Sequence, residues 1–310
     1  MSSTLVIGFG AVGRAVTNRL IEQRSSAQKA GVTVMARSDR QVPAGADLFV
    51  GDASSSTDLH RALDVSGADR IICCAHAAYT EAAWRSQLIP LERAVLNAAA
   101  EVGAEVSAEV GAHVTFAESV YAFGPGVHTV TAESRVAATV GKPGVRAELL
   151  AARDAAAAPT ASVVASDLYG PGCGESMVAH ALIIDRVHKG KRPLALVDAD
   201  TPHAFTYIDD YARALVDASA GRATGIVLTP TAEPITQRDF ATLAAEAFNA
   251  EHHRPLTLRP WMLRVAGIAD ENVGGLREMT WLWDSPRALE SDLDWAPTPY
   301  RDGLASLARS

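Results

Sequence analysis

A glycine-rich turn at the start of the chain constrains its fold more than any other feature. The apolar run Thr4–Ile7 leads directly into the turn, and a segment of helical period follows at 14–21. A strand, a tight glycine turn and a helix N-terminus form a cradle for a dinucleotide pyrophosphate, so we predict dinucleotide binding here. The alternative is an ordinary strand–helix turn with chance glycines. The predicted phosphate-binding residues are Gly8, Phe9, Gly10, Ala11, Val12 and Gly13.

The composition limits the classes of protein to which the chain can belong. The 310 residues, 48% hydrophobic and 21% charged, suffice for one large domain or two modest ones. A net charge of −8 without a basic run argues against a nucleic-acid surface. No apolar stretch reaches membrane-spanning length and no signal-type segment is apparent, so we expect a cytoplasmic protein. The spacing of Cys73, Cys74 and Cys173 fits neither a disulfide framework nor a metal site.

Strand and helix signals alternate through the first half of the chain. This alternation predicts an α/β fold, a Rossmann-type doubly wound parallel sheet. After the first strand, the predicted strands are Val32–Ala36, Asp47–Val50, Arg70–Ala75, His113–Ala117 and Ala161–Ala165. The predicted helices between them are Thr57–Val65, Glu81–Val102 and Val145–Ala157.

The second half of the chain is less regular and predicts a smaller, interleaved C-terminal substrate lobe. We assign 1–168 to the dinucleotide-binding domain, which also receives 187–230, and assign 169–186 and 231–310 to the smaller lobe. The predicted helices here are Glu175–Lys189, Thr236–Asn249 and Trp261–Ala269, and the predicted strands are Pro193–Val197, Gly225–Leu228 and Pro255–Arg259.

Several motifs occur in a fixed order along nearly the whole chain. They are Gly51-Asp52, the segment 119–125 (SVYAFGP), the segment 166–172 (SDLYGPG), the segment 203–214 (HAFTYIDDYARA) and Trp295-Ala296-Pro297-Thr298. With these motifs the chain resembles the extended or atypical short-chain dehydrogenase/reductase superfamily, in its NAD-dependent epimerase/dehydratase branch. No single motif is decisive, and their order and spacing carry the resemblance.

The resemblance implies roles for residues at two strand ends. Asp52, beside Ala53, matches the acidic residue that contacts the adenine amino group; the alternative is a turn or helix cap. Ser119 matches the hydroxyl that binds a substrate carbonyl or hydroxyl oxygen. The alternative for Ser119 is a hydroxyl that satisfies the backbone of its loop.

The chain departs from the family at the proton donor, which in the family is a tyrosine four residues before a lysine. The lysine available in this region is Lys142, and Ala138 stands four residues before it. The resemblance implies that Lys142 still holds the nicotinamide ribose. The alternative, of equal weight, is that Lys142 and Arg146 are ordinary solvent-facing charges.

Either another group supplies the proton, or the protein has no proton donor. Tyr121 is the first candidate, because an extended segment would point it to the same side as Ser119. His76, after Ala75 in a loop that we expect to face the cofactor, is a second candidate. For each, the alternative is a residue that packs or lines a loop.

The residues after the second strand bear on the choice of cofactor. A carboxylate there would favour NAD(H), whereas the chain has Ala36, Arg37 and Ser38. An arginine fork suits a 2′-phosphate, and Arg40 could assist, so we predict NADP(H) over NAD(H). Asp39 weighs against this prediction, and the alternative is that both arginines are surface charges.

The sequence therefore favours an NADP-dependent reductase or epimerase-type enzyme. Its substrate, a nucleotide-sugar or a smaller carbonyl compound, is expected near Tyr169, His203 and Tyr207. The resemblance implies a nucleotide-sugar as the default. His203 stands where sugar-nucleotide enzymes often carry an arginine for the pyrophosphate, which weakens that expectation and leaves the smaller compound open. One alternative is a non-catalytic NADP(H)-binding sensor or regulatory protein, favoured by the missing tyrosine. Another is a β-hydroxyacid-type dehydrogenase, which would have a long all-helical C-terminal domain and is disfavoured by the prolines of Pro255–Pro260 and Pro297–Pro299. We also expect a homodimer through the Ala-rich helices 81–102 and 145–157.

Overall fold

The computed structural model describes residues 3–23, 31–105, 111–266, 276 and 278–309. The chain forms two compact units. The first contains Met1–Glu118, Ala138–Val164 and Ala212–Val227, and the second contains Ser119–Ala137, Ala165–Tyr211 and Leu228–Ser310. The stretches 119–137 and 187–211, which the sequence assigned to the first domain, cluster with the second unit.

A seven-stranded sheet organises the first unit. Its strands are β1 (Ser3–Ile7), β2 (Val32–Ala36), β3 (Asp47–Val50), β4 (Ala68–Cys73), β5 (His113–Ser119), β6 (Thr160–Ala165) and β7 (Gly225–Leu228). Their order is β7-β6-β5-β4-β1-β2-β3, and β1 pairs in parallel with both β2 and β4. Strands β2 and β6 are buried along their whole length, as expected for parallel strands covered on both faces. This order confirms the predicted Rossmann-type fold class.

Helices connect these strands. They are α1 (Ala11–Glu22), α2 (Ser56–Ser66), α3 (Ile89–Glu105), α4 (Gly141–Asp154) and α5 (Ile208–Ala220). The α-helical turn Glu81–Ala83 and the π-helical turn Trp84–Leu88 precede α3. The sequence specifies the ends of α2: Ser55 accepts a hydrogen bond from the Asp58 N–H, and Gly67 adopts the left-handed conformation, with φ of 57°.

The region 174–188 is less regular than predicted. A 3₁₀ turn (Gly174–Ser176), a π-helical turn (His180–Ile184) and an α-helical turn (Asp185–His188) replace the single predicted helix. Gly174 has φ of +61° and Met177 is extended, so the backbone leaves the helical conformation between them. The predicted helix 261–269 is observed as Pro260–Ala266, and its last residues lie outside the described part of the chain.

Short paired strands and an aromatic core build the second unit. Asp167–Tyr169 pairs with Phe205–Tyr207, Leu194–Leu196 with Leu256–Leu258, Pro202–His203 with Ile235–Thr236, and Thr129–Val130 with Ala288–Leu289. Its longer helices are Gln237–Ala247 and Tyr300–Ala308. Phe205 stacks on Phe240 with 4.3 Å between ring centroids, and Tyr169 and Tyr300 meet Phe240 edge-on.

Candidate functional site

The turn between β1 and α1 requires glycine at two positions. Gly8 has φ of +91°, and a Cβ atom there would lie 2.7 Å from backbone atoms of Ala75. A Cβ atom on Gly13 would lie 2.0 Å from the carbonyl oxygen of Gly8. Any larger residue would therefore push α1 away from the turn or distort the strand edge.

Gly10 differs from these two glycines because the space before it is open. A Cβ atom on Gly10 would meet no protein atom within 4 Å. Gly10 is the extended N-cap of α1, and no side chain caps the helix there. The first backbone N–H groups of α1 and the positive end of its dipole are thus available to an anion, as a dinucleotide pyrophosphate requires.

A groove of about 580 Å³ runs along the ends of β1, β2, β3 and β4. This volume is in the range typical of small-molecule sites. Of the predicted cofactor residues, those that line it are Gly8, Phe9, Gly10, Arg37, Asp52, Ala53, Ala75 and His76. Ala11, Val12, Gly13 and Ser38 are not among its lining residues. Sequence reasoning missed Ser86, Gln87 and Leu91, which only the fold brings to the groove.

Arginines stand at one end of the groove, directly after β2. Arg37 is exposed and lines the groove. Arg40 also lines it, and its guanidinium donates to the Phe9 carbonyl at 3.3 Å and to Ser38 Oγ at 3.0 Å. The contact with Phe9 holds the Arg40 charge beside the glycine turn. The contact with Ser38 holds the Ser38 hydroxyl against the same guanidinium. Asp39 is exposed and does not line the groove.

Asp52 is held as a carboxylate at the end of β3. Its Oδ1 accepts hydrogen bonds from the Ser54 N–H at 2.9 Å and from Ser54 Oγ at 2.8 Å. These bonds lower the pKa of Asp52, and Arg37 lowers it further. Asp52 is therefore ionised at neutral pH and exposed to the groove, where it can accept from an amino group.

His76 is fixed as a neutral imidazole at the other end of the groove. Its Nδ1 donates to the Ala77 carbonyl at 2.7 Å, because a carbonyl oxygen can only accept. Arg146 Nη2 lies 2.6 Å from Nε2 and donates to it. Burial and then the Arg146 charge lower the pKa of His76 to about 4. The residue as a whole is exposed and lines the groove, but the protein around its ring and the Arg146 charge still disfavour the charged form.

We expect His76 to make stability depend on pH. The unfolded chain binds a proton at His76 below its ordinary pKa of 6.5, whereas the folded chain does so only below about 4. The wild type should therefore lose stability as pH falls from 6.5 to 4, because the unfolded state binds more protons in that window. His76→Gln should flatten this dependence, which thermal unfolding across the window measures. His252→Gln, at an exposed position, is the control, and curves of equal slope would contradict the assignment.

A buried ion network, formed by Glu92, Glu118, Arg146 and Arg153, lies behind this end of the groove. Arg153 donates twice to Glu92 and once to Glu118, each at 2.8 Å. Arg146 Nε lies 3.5 Å from Glu118 Oε1. Burial opposes the charge of Arg153, but Glu92 and Glu118 outweigh it and raise the Arg153 pKa. The network ties α3, α4 and β5 together and fixes the guanidinium that faces His76.

A cation–aromatic cluster adjoins this network. It comprises His76, Tyr79, Trp84, Lys142 and Arg146. Trp84 is fully buried and meets His76 and Tyr79 edge-on, with ring centroids 5.1 and 5.7 Å away. Lys142 Nζ lies 4.4 Å from the centroid of the Tyr79 ring. Lys142 and Arg146 are both buried, which rules out the alternative that they are solvent-facing charges.

The structure changes the expectation for Ser119 and Tyr121. Ser119 is the last residue of β5 and is half-buried. The following residues, Val120–Phe123, form a 3₁₀ turn rather than the extended segment assumed from the sequence. Alternation along a strand therefore no longer places Tyr121 on the side of Ser119. Both residues remain half-buried candidates.

The predicted substrate residues lie in the packed interior of the second unit. Tyr169 and His203 are fully buried, and Tyr207 is 9% exposed. His203 Nε2 lies 2.7 Å from Asp167 Oδ2 and its Nδ1 lies 3.2 Å from the Leu282 carbonyl. Burial raises the pKa of Tyr169 and of Tyr207, the latter to about 12. These phenols are thus ordinary un-ionised side chains at neutral pH.

The described residues also bear on thiol chemistry, metal binding and membrane spanning. Burial raises the pKa of Cys73 to about 12 and also raises that of Cys74, so both are thiols rather than nucleophilic thiolates. Within the described ranges, no group of histidine, cysteine and carboxylate side chains has the arrangement of a metal site. No helix in the same ranges is long and apolar enough to cross a bilayer.

The chain matches a known protein family by sequence. A model of the NAD-dependent epimerase/dehydratase family matches residues 4–225. Among curated proteins, none matches the chain by sequence.

The chain is also similar to solved structures at low sequence identity. UDP-glucose 4-epimerase of Thermotoga maritima with UDP-glucose has 16% identity and a TM-score of 0.74, with coverage of 99% of this chain and 97% of that one. A double mutant of the dTDP-glucose 4,6-dehydratase DesIV of Streptomyces venezuelae with NAD has 16% identity and a TM-score of 0.75, with coverage of 99% and 95%. WbmH of Bordetella bronchiseptica with NAD+ has 13% identity and a TM-score of 0.74, with coverage of 99% and 96%. At these identities the likeness shows the fold alone.

Proposed function

Because this chain belongs to the NAD-dependent epimerase/dehydratase family, we propose that it is an oxidoreductase that acts on a carbonyl or carbinol carbon with NADP(H). A bound nicotinamide supplies or accepts the hydride in such reactions. The single observation that carries dinucleotide binding is the open space at Gly10, which lines the groove. Gly10 stands between Gly8 and Gly13, where the structure tolerates no side chain. The solved neighbours with NAD bound support a nicotinamide cofactor.

The arginines after β2 support NADP(H) over NAD(H). Arg37 and Arg40 both line the groove, and the Ser38 hydroxyl is bonded to Arg40. The last residue of β2 is Ala36, so the strand ends without a carboxylate that would repel a 2′-phosphate. Titration with NADPH and with NADH, followed by nicotinamide fluorescence, tests the preference. Equal binding of both dinucleotides would contradict the NADP(H) preference inferred from the arginines. Binding of neither would contradict the proposal that the protein is an oxidoreductase.

We expect the double variant Arg37→Ala/Arg40→Ala to lose affinity for NADPH but not for NADH. Loss of charged hydrogen bonds to a phosphate costs about 1.5–3 kcal/mol, or about 10- to 100-fold in Kd. Arg222→Ala is the matched control, because its guanidinium binds Asp69 near the start of β4, at the opposite end of the strands from the groove. An equal loss for both dinucleotides would show that the arginines support the groove rather than the 2′-phosphate.

For the substrate, we propose a carbonyl compound smaller than a nucleotide-sugar. Neighbouring structures hold UDP-glucose, so the nucleotide-sugar is the competing class. His203 stands where we expect an arginine in sugar-nucleotide enzymes, and its ring nitrogens already face Asp167 and the Leu282 carbonyl. Ser119 is proposed to orient the substrate oxygen, with Tyr121 and Lys142 as the further catalytic candidates. A turnover screen with small carbonyl compounds and with UDP-glucose distinguishes the classes.

A non-catalytic NADP(H) sensor is the second candidate function. It is favoured by Ala138, which occupies the position expected for the catalytic tyrosine. Tight NADPH binding without turnover of any carbonyl compound in the screen would support the sensor.

We also propose a homodimer through α3 and α4. A second groove of about 320 Å³ lies between these helices, and its lining includes Ala100, Ala152, Ala155, Ala156 and Ala157. Small side chains allow a helix of another copy to approach closely. Sedimentation equilibrium tests the proposal, and a monomer across the concentration range would contradict it.

A further inference from the structure

The fold brings a tyrosine and a lysine together although no such pair is visible in the sequence. Lys142, in the first turn of α4, is fully buried, and its Nζ lies 4.4 Å from the centroid of the Tyr79 ring. Tyr79 belongs to the segment after β4, two residues beyond Ala77 of the groove wall. Tyr79 itself is half-buried and adjoins the groove without being one of its lining residues.

The order of the sheet places Tyr79 toward one particular half of a bound dinucleotide. Arg37 and Asp52 mark the adenosine end of the groove, at β2 and β3. The pyrophosphate position at Gly10 follows β1, and β4 lies on the other side of β1. The nicotinamide half must therefore extend toward the end of β4, which is where the segment containing His76 and Tyr79 begins.

The Tyr79 ring is held firmly by its neighbours. Thr80 caps the following helical turn, with its Oγ1 accepting from the Ala83 N–H at 3.2 Å. Trp84 presents an edge to the Tyr79 ring at an interplanar angle of 80°, and the guanidinium of Arg146 lies 4.7 Å from the Trp84 ring centroid. The Lys142 ammonium lies over the face of the Tyr79 ring, and a positive charge this close to a phenol favours its ionised form, as general acid–base catalysis by tyrosine requires.

The titratable groups near Tyr79 are poor proton donors. His76 donates from Nδ1 to a carbonyl and accepts at Nε2 from Arg146. The Arg146 guanidinium does not release a proton under ordinary conditions. Cys74 is a half-buried thiol whose pKa is raised by its surroundings. Among the described residues of segment 74–79, the Tyr79 hydroxyl is thus the group best suited to the task.

We propose that Tyr79 is the residue that transfers the proton in this site, and that Lys142 is its positioning residue. This inference rests on the proposed function and names a proton donor other than Tyr121. In the reducing direction the Oη–H bond of Tyr79 breaks as the substrate oxygen gains the proton. The phenolate then takes a proton from water on its exposed side. The Lys142 ammonium stabilises the phenolate while it exists.

Tyr79→Phe and Lys142→Met test the proposal. Tyr79→Phe should lower kcat by about 10²- to 10⁴-fold, as expected for loss of a general acid, and should leave NADPH binding unchanged. Lys142→Met keeps an apolar stem on the Tyr79 ring and should lower kcat less. Lys142→Arg, which restores the charge, should recover part of that loss. Lys191→Met, at an exposed position of the second unit, is the matched control.

A tyrosinate titration tests the pair without any substrate. The difference between the wild type and Tyr79→Phe isolates the absorbance of Tyr79, and the same difference is measured in the Lys142→Met background. Tyr79 should ionise at higher pH once the ammonium is gone. Equal midpoints in the two backgrounds would overturn the pairing. A larger loss of kcat in Tyr121→Phe than in Tyr79→Phe would overturn the assignment of the donor.

These readouts separate the two proposals. A protein that binds NADPH but turns over no carbonyl compound would overturn the proposed enzyme, and the titration would still decide the pairing. A protein that turns over substrate with full activity in Tyr79→Phe would keep the enzyme and overturn the inference. Thermal unfolding of each variant shows whether a loss of activity is instead a loss of fold.

Discussion

Arg153→Met should destabilise the protein more than any other single substitution considered. Arg153 is fully buried and binds both Glu92 and Glu118, and its guanidinium lies 4.3 Å from the Phe116 ring centroid. Methionine keeps much of the stem but leaves two carboxylates buried without this cation. Breaking a buried ion pair in this way costs about 3–5 kcal/mol of the free energy of unfolding. Urea unfolding of wild type and variant measures the difference.

Arg85→Met is the matched control for this prediction. Arg85 also contacts two carboxylates, Glu81 at 2.9 Å and Glu148 at 3.1 Å, but on the surface. Water screens such pairs, so the control should lose far less stability than Arg153→Met. Similar losses in the two variants would mean that burial does not set the strength of the buried ion network. In the double variant Arg153→Met/Glu92→Met, part of the stability lost in Arg153→Met should return, because one unpaired carboxylate is removed.

Alanine at Gly13 should lower the stability of the fold, whereas alanine at Gly10 should lower the affinity for NADPH. At Gly13 the methyl group would overlap the Gly8 carbonyl, at 2.0 Å, so the helix must shift and stability should fall by about 1–3 kcal/mol. At Gly10 the methyl group meets no protein atom within 4 Å, so the loss of stability should be limited to the weaker N-cap preference of alanine. Affinity for NADPH should nevertheless fall in Gly10→Ala, because the methyl group occupies the space proposed for the pyrophosphate.

Paired measurements of thermal unfolding and of NADPH affinity distinguish these cases. Gly126→Ala, where a Cβ atom also meets nothing within 4 Å, is the control outside the groove and should change neither quantity. Wild-type affinity in Gly10→Ala would show that the phosphates do not approach this backbone, and would remove the main support for the proposed function.

Much of the central sheet could be predicted from the sequence. The bounds Val32–Ala36 and Asp47–Val50 are observed as predicted, because short apolar runs between turn residues are typical of parallel strands. The irregular region 174–188 could not be predicted in the same way. Its apolar residues have a helical period, but Gly174 has a positive φ and Met177 is extended, and helix propensity is only a weak guide to such local departures.

The site could be predicted only where it is local in sequence. The glycine turn and the arginines after β2 lie within short segments whose chemistry is visible without a fold. The contact of Lys142 with Tyr79 and that of Arg146 with His76 join residues far apart in the chain. Nothing near Lys142 indicates that it is buried, since lysine in a helix is usually exposed. Only the packing of α4 against the segment after β4 shows these pairs.

The division of the chain into interleaved units has a consequence for its synthesis. The outer strand β7 of the sheet comes from Gly225–Leu228, after the chain has already supplied two segments of the second unit, Ser119–Ala137 and Ala165–Tyr211. The sheet of the first unit therefore stays incomplete on the ribosome, with β6 as an unprotected edge, until residue 228 has emerged. Nascent chains stalled before β7 should bind chaperones that recognise exposed strand edges, and those stalled beyond it should not.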